Sequence, residues 1–130
     1  MATIKTELKG IVRISTSDTY EFYLANNGNR LQNAQAITNV EEVYIIIENT
    51  EAVISPQIVL PQISTFYGGW NVKIYIVNKQ ESPKIVVPKV GNPANQDYIN
   101  DTNTTAVSVK RVRYFHIVDN HLWASWEVDS

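Results

Sequence analysis

Residues 58–77 read IVLPQISTFYGGWNVKIYIV, with two runs of mostly β-branched residues separated by a proline, a small polar segment and a Gly-Gly pair. In the second run, three apolar residues alternate with Lys73 and Tyr75, which is the period of a β-strand with one buried face. Pro61 has no backbone N–H, so the first run must end there or lie at a sheet edge. The stretch therefore predicts two strands joined by a loop.

The same period of two recurs along the chain. Strands are predicted over residues 4–15, 20–25, 43–47, 57–59, 72–76, 84–87, 106–118 and 121–128, and residues 98–99 form a short apolar segment between polar loops. No convincing helical pattern occurs, and turn signals return roughly every 8 to 12 residues, which is typical of all-β sandwiches and barrels. We predict a single domain over residues 1–130, an all-β fold in the form of an antiparallel β-sandwich of jelly-roll-like or fibre-knob type.

Composition narrows the class of protein. The chain has 130 residues, 44% of them hydrophobic and 18% charged, so it can bury a core. Its net charge of −2 argues against a nucleic-acid partner, which requires a basic face. Cysteine is absent, so disulfides, thiolate chemistry and cysteine metal sites are excluded. The N-terminal residues show no signal-peptide pattern, and no apolar run is long enough to predict a membrane span.

Few residues in the sequence suggest catalysis or ion binding. If Asp119 and Asn120 form a two-residue turn, His116 and His121 lie on one face of a hairpin and are weak metal candidates. Zinc requires at least three protein ligands, and no third is evident. The oxygen-rich loop over residues 97–103 resembles calcium-binding composition, but its spacing does not match an EF-hand. We predict neither an enzyme nor a cofactor; a small enzyme is the least favoured alternative.

Aromatic residues are the strongest binding candidates. Phe66, Tyr67 and Trp70 surround the Gly-Gly pair, and exposed rings of this kind bind sugars or anchor protein interfaces. With the two-residue turn, Trp126 falls on the apolar face of the last strand and is predicted to lie in the core. Trp123 then shares a face with both histidines. The predicted subunit-contact or glycan-contact residues are therefore Phe66, Tyr67, Trp70 and Trp123.

The order of motifs over residues 56–128 resembles a β-module found in bacteriophage fibre, spike and head-fibre proteins. That module has a strand ending in Leu-Pro, a glycine-containing loop, two apolar strands, an asparagine-rich loop around an isolated Ile, a long strand, a short turn and a tryptophan. The matching segments are residues 58–61, 68–69, 72–76, 85–87, 95–101 around Ile99, 107–118, 119–120 and 122–123. Where the family commonly has glycine, this chain has Asp101 and Asn120, which also tolerate positive φ.

The resemblance implies a virion structural protein, made in the host cytoplasm and acting as a capsid-decoration, head-fibre or fibre-knob subunit. Such modules are usually homotrimers that contact other capsid or tail proteins, and some bind glycans on the host surface. The alternative is a carbohydrate-binding β-sandwich module. Neither nucleic acid nor membrane is expected as a partner.

Overall fold

The computed structural model describes residues 2–23, 42–63, 72–89 and 96–128. The strands in these ranges are β1 (Thr3–Glu7), β2 (Ile11–Ile14), β3 (Thr19–Tyr23), β4 (Glu42–Ile47), β5 (Gln57–Val59), β6 (Lys73–Asn78), β7 (Lys84–Val87), β8 (Tyr98–Ile99), β9 (Thr105–Val107), β10 (Val112–Asp119) and β11 (Leu122–Val128). The same ranges contain no helix, which confirms the all-β prediction for this part of the chain. It follows that none of the described residues forms a helix able to cross a membrane.

The strands form two mixed sheets. One has five strands in the order β1-β3-β5-β7-β9, and the other has six in the order β2-β4-β6-β10-β11-β8. From β1 to β7 the chain therefore changes sheet between consecutive described strands. Each of these returns to the same sheet adds a parallel neighbour. The three antiparallel pairings among the described strands are β7 with β9, β6 with β10, and β10 with β11. The path resembles the winding of a solenoid more closely than a series of hairpins.

One hydrophobic core receives side chains from both sheets. Tyr20, Ile58 and Val86 enter it from the five-stranded sheet, and Ile45 and Ile74 enter it from the six-stranded sheet. Ile45, Ile58, Ile74 and Val86 are fully buried. The alternating pattern of the sequence correctly identifies Tyr20 and Ile74 as inward-facing, whereas Ile45, Ile58 and Val86 lie in short apolar runs that do not indicate a buried face.

The prediction of antiparallel sheets is wrong for six of the nine strand pairings among the described residues. Alternation specifies which face of a strand is buried and says nothing about the direction of its neighbour. Parallel neighbours need a crossover connection, which is usually a helix. Here the described part of each crossover contains a strand of the other sheet. β5 lies in the middle of its sheet. It ends before Pro61, so the missing N–H of the proline removes no hydrogen bond between β5 and its neighbours.

Two predicted long strands are each divided in the structure. Residues 4–15 separate into β1 and β2, which belong to different sheets, and residues 106–118 separate into β9 and β10 in the same way. Gly10 has φ +45° at the first break, and Lys110 has φ +57° at the second. Positive φ reverses the local chain direction, which carries the chain from one sheet to the other.

A buried amide pair holds the loops at one end of the sheets. Gln80 donates to Glu48 O at 2.9 Å and accepts from Ile54 N at 2.9 Å. Asn78 donates to Val107 O at 3.2 Å and accepts from Gln80 N at 2.9 Å. Both amides are almost completely buried. Since an unpaired buried polar group is costly, these bonds select one arrangement of three separate segments.

Candidate binding face

The outer face of the six-stranded sheet carries a row of aromatic side chains. The strand register places Tyr44 beside Tyr75, Tyr75 beside Tyr114, and Tyr114 beside Trp126. Ile11 of β2 continues the row next to Tyr44. We call Tyr44, Tyr75, Tyr114 and Trp126 the aromatic row; it crosses β4, β6, β10 and β11 at right angles to the strands.

The rings of the aromatic row contact one another. The ring centroids of Tyr44 and Tyr75 are 5.1 Å apart with planes inclined by 13°, so these two rings are stacked. Tyr114 is 5.0 Å from Tyr75 and 5.0 Å from Trp126 in tilted geometries. His116 packs beside the end of the row, edge-on to Trp126 at 5.2 Å. Because neighbouring strands are separated by a similar distance, in-register rings stand upright on the sheet and support each other.

The two ends of the aromatic row are its most exposed parts. Trp126 is 49% exposed and Tyr44 is 37% exposed, whereas Tyr75 and Tyr114 are half-buried. Ile11 beyond Tyr44 is 61% exposed. Exposed aromatic and aliphatic side chains that follow one another across five strands are a candidate interaction site.

Charge near the aromatic row affects its phenols. The Glu42 carboxylate raises the pKa of Tyr44, and the two side chains form a 3.4 Å hydrogen bond donated by the phenol. Burial raises the pKa of Tyr114. Both phenols are therefore neutral around pH 7, and each hydroxyl can donate as well as accept a hydrogen bond.

The structure reverses the predicted roles of Trp123 and Trp126. The predicted turn at Asp119 and Asn120 is wrong by one residue, because Asp119 pairs with Leu122 and the turn is formed by Asn120 and His121. A β-bulge at Val118 then shifts the register, so that Ile117 pairs with Trp123 and His116 pairs with Ala124. One extra residue in one strand transfers every later side chain to the other face. Trp123 is fully buried in the core, so the prediction that it lies on an exposed contact face is wrong, and Trp126 is outside the core.

The two histidines have separate environments. His116 lies on the aromatic face between Tyr114 and Trp126. Nδ1 of His121 is 3.3 Å from Oδ1 of Asp97, a fully buried carboxylate that also accepts from Ile63 N at 2.8 Å. Burial raises the pKa of Asp97. Within the described ranges, no group of three or more His, Asp or Glu side chains is placed to hold a metal.

The loop over residues 97–103 uses its side-chain oxygens internally. Asn100 bonds to both the N–H and the C=O of Ser125, at 3.0 and 2.9 Å, and Asn103 accepts from Gln96 at 3.1 Å. Asn100 has φ +48° and Asp101 has φ +64°, so this turn is left-handed. Asp101 thus has the positive φ expected at a position where the phage family commonly has glycine. The contacts of Asn100 therefore attach this loop and β8 to β11.

Three predicted contact residues, Phe66, Tyr67 and Trp70, lie outside the described residues. The aromatic row was not predicted, although the sequence contains a signal for it. Tyr44 lies between Val43 and Ile45, and Tyr75 lies between Ile74 and Ile76; the flanking residues are buried in both cases. Two tyrosines flanked in this way indicate a shared outer face once the strand order is known.

No family model, curated protein or solved structure was found to match this chain.

Proposed function

We propose that this chain is a bacteriophage virion structural protein, a capsid-decoration, head-fibre or fibre-knob subunit that acts by assembly and surface binding. The proposal combines the order of motifs over residues 56–128 with the exposed aromatic row on the six-stranded sheet. It places the protein in the virion, in contact with copies of itself and with other capsid or tail proteins. It assigns the chain no catalytic role.

The aromatic row is the observation that carries the proposal. Trp and Tyr are the side chains most enriched among residues that dominate binding energy at protein interfaces. In the row, Tyr75 and Tyr114 are held by neighbours on both sides, so little conformational freedom remains to be lost when a partner covers them. A rigid apolar surface suits permanent assembly, in which a subunit buries the same face in every copy.

We further infer that the two sheets are the layers of a β-sandwich, since both contribute to one core. Their strand order departs from a jelly roll, which is built from antiparallel Greek keys. A sandwich has two outer faces, one on each sheet. The aromatic row occupies one of those faces, and this arrangement suits lateral packing of subunits around an axis.

Sedimentation equilibrium of the purified chain tests this proposal. We expect a homo-oligomer, a trimer if the resemblance holds, and we expect Trp126→Ala and Tyr44→Ala to lower its mass. Tyr23→Ala is the matched control, because Tyr23 is a similarly exposed aromatic (45%) on the five-stranded sheet. A wild-type monomer at micromolar concentration, or equal effects of all three variants, would contradict assembly through the aromatic row.

A carbohydrate-binding role is the second candidate, and the exposure of Trp126 favours it. The indole is half-exposed at the end of the row, where a sugar ring can stack on it. The faces of Tyr75 and Tyr114 are covered by neighbouring rings, which makes an extended glycan along the row less favourable than a protein partner. A glycan array distinguishes the candidates: binding that Trp126→Ala abolishes and Tyr23→Ala preserves would support the glycan role.

A further inference from the structure

We propose that a second copy of this chain docks at the β1 end of the fold, with its β1 antiparallel to β1 of the first copy. The contact goes beyond the proposed function, because it uses the edges of the sheets and not the aromatic row. The backbone of β1 and β2, the exposed apolar residues at that end, and the charges of β1 each support it.

The outer edge of β1 has no partner among the described strands, since β1 is first in its sheet. Thr19 N donates to Ala2 O at 3.0 Å, and Leu8 N donates to Tyr23 O at 2.8 Å, so the even-numbered residues face β3. Backbone groups alternate in direction along a strand. The N–H and C=O groups of Thr3, Lys5 and Glu7 therefore point away from the sheet.

β2 has the same arrangement at the edge of the six-stranded sheet. Tyr44 N donates to Gly10 O and Glu48 N donates to Ile14 O, both at 2.8 Å. The backbone groups of Ile11 and Arg13 consequently point outward from the edge of the six-stranded sheet. Unpaired backbone groups at a sheet edge form a docking site for another strand.

Apolar side chains are exposed at this end. Ile4 pairs with Tyr20 and shares its core-facing side, yet Ile4 is 37% exposed whereas Tyr20 is 8% exposed. Ile11 is 61% exposed. Stacked β-architectures leave such terminal layers uncovered unless a cap or another subunit protects them.

The charges of β1 select one antiparallel register. A two-fold axis at Thr6 sets Lys5 of each copy opposite Glu7 of the other, which makes two opposite-charge pairs. An axis at Lys5 sets two lysines opposite each other, and an axis at Glu7 sets two glutamates opposite each other. Lys5 and Lys89 both contact the Glu21 carboxylate at 2.5 Å, so these three side chains together carry a net positive charge that Glu7 of a second copy can pair with.

The same two-fold axis relates both sheets of one copy to the corresponding sheets of the other. A two-fold axis normal to the five-stranded sheet keeps the six-stranded sheets of both copies on the same side, so the two β2 strands also meet. The opposite end of the fold has shorter edges, three residues in β9 and two in β8. A head-to-tail stack would use those short edges, which makes a closed two-fold contact the better match. The contact forms a dimer by itself or joins two larger rings end to end.

Single-cysteine cross-linking tests the register. The chain has no cysteine, so Thr6→Cys introduces one thiol. Residue 6 would lie opposite its copy at a non-hydrogen-bonded position, with Cα atoms about 4.5 Å apart, within the range of a disulfide. Under mild oxidation we expect Thr6→Cys to become a covalent dimer and Thr3→Cys, which lies opposite Lys9, to remain largely monomeric. An uncross-linked Thr6→Cys, or equal cross-linking of both variants, would overturn the proposal.

Charge reversal supplies a second, independent test. Glu7→Lys and Lys5→Glu each place like charges opposite one another, and we expect either to weaken dimerisation about tenfold. Mixing the two variants restores both attractive pairs, so the mixture should form heterodimers. Glu51→Lys, an exposed position on a turn, is the matched control and should dimerise as the wild type does. Thermal melts monitored by circular dichroism verify folding, because Lys5→Glu also loses its contact with Glu21.

The cross-linking and charge results separate this proposal from the proposed function. Loss of mass in Trp126→Ala with no cross-link in Thr6→Cys would refute the edge contact alone. A cross-link in Thr6→Cys with no effect of Trp126→Ala would support the edge contact and count against assembly through the aromatic row. Failure of the charge mixture to form heterodimers would also refute the proposed register.

Discussion

Trp123→Ala and Trp126→Ala are expected to differ strongly in their effect on stability, although the two residues are three positions apart in one strand. Trp123 is fully buried, and replacing a buried Trp with Ala removes about 3–5 kcal/mol from the free energy of unfolding. Trp126 is half-exposed. It loses ring contacts with Tyr114 and His116, which together contribute about 1 kcal/mol at a partly solvated site.

Urea denaturation followed by far-UV circular dichroism measures both free energies, and a thermal melt gives a second reading. The larger loss corresponds to a decrease in Tm of roughly 10–20 °C for Trp123→Ala. Because such a loss approaches the total stability of a small domain, Trp123→Phe serves as a milder variant that keeps the fold measurable. Acrylamide should quench the fluorescence of Trp126 and have little access to Trp123.

The reverse order of stabilities would refute the β-bulge at Val118. Without the bulge, Trp126 points to the core and Trp123 to the outer face, which is the arrangement that the sequence predicted. Equal losses for the two variants would contradict the assignment of either face. The comparison is internal to one strand, so differences in helix or strand propensity do not affect its outcome.

The remaining predictions concern buried polar groups and pH. Asn78→Ala should lower the free energy of unfolding by about 2–4 kcal/mol in the same urea assay, since Gln80 N and Val107 O lose a buried partner, while Asn49→Ala at an exposed position should change it little. Burial lowers the pKa of Lys84, so the unfolded chain binds more protons than the folded chain at pH values between the folded pKa and 10.5. The free energy of unfolding of the wild type should therefore rise relative to that of Lys84→Met as pH increases through that window. A difference that stays constant with pH would contradict this expectation. Hydrogen bonds from Lys5 and Lys89 lower the pKa of Glu21, so its stabilising contribution is present above pH 4.5 and disappears as pH falls through the folded pKa; Glu21→Gln should lack this acid dependence in urea titrations at a series of pH values.

Much of the local structure could be predicted from the sequence, because a strand with one buried face has apolar and polar residues in alternation. The strands β3, β4, β6 and β7 lie within a residue or two of the predicted bounds. Alternation identified the inward-facing residues of β3 and β6, whereas the apolar runs of β4 and β7 did not indicate which face is buried. The candidate site was predictable only in kind: aromatic side chains were expected to form a contact surface, but Trp123 was chosen in place of Trp126.

The error arose from a single unpaired residue. Sequence spacing suits a two-residue turn at Asp119 and Asn120, and nothing in the composition of residues 116–122 distinguishes it from the observed turn at Asn120 and His121 with a bulge at Val118. The bulge depends on how β10 fits between β6 and β11, which is a property of the assembled sheet. A local pattern therefore predicted the right residue types on the wrong face.

By itself, the sequence determined that this chain is built of β-strands, which residues of β3 and β6 face the core, and that cysteine chemistry is excluded. The tertiary structure decided that strands alternate between two sheets, that most of the described neighbours are parallel, and that Tyr44, Tyr75, Tyr114 and Trp126 share one outer face. The physical reason is that burial selects an apolar or polar side chain at each position separately, so the pattern of buried positions is visible in the sequence. Strand direction and register depend on which distant segments meet, and backbone hydrogen bonds form equally well in several such arrangements.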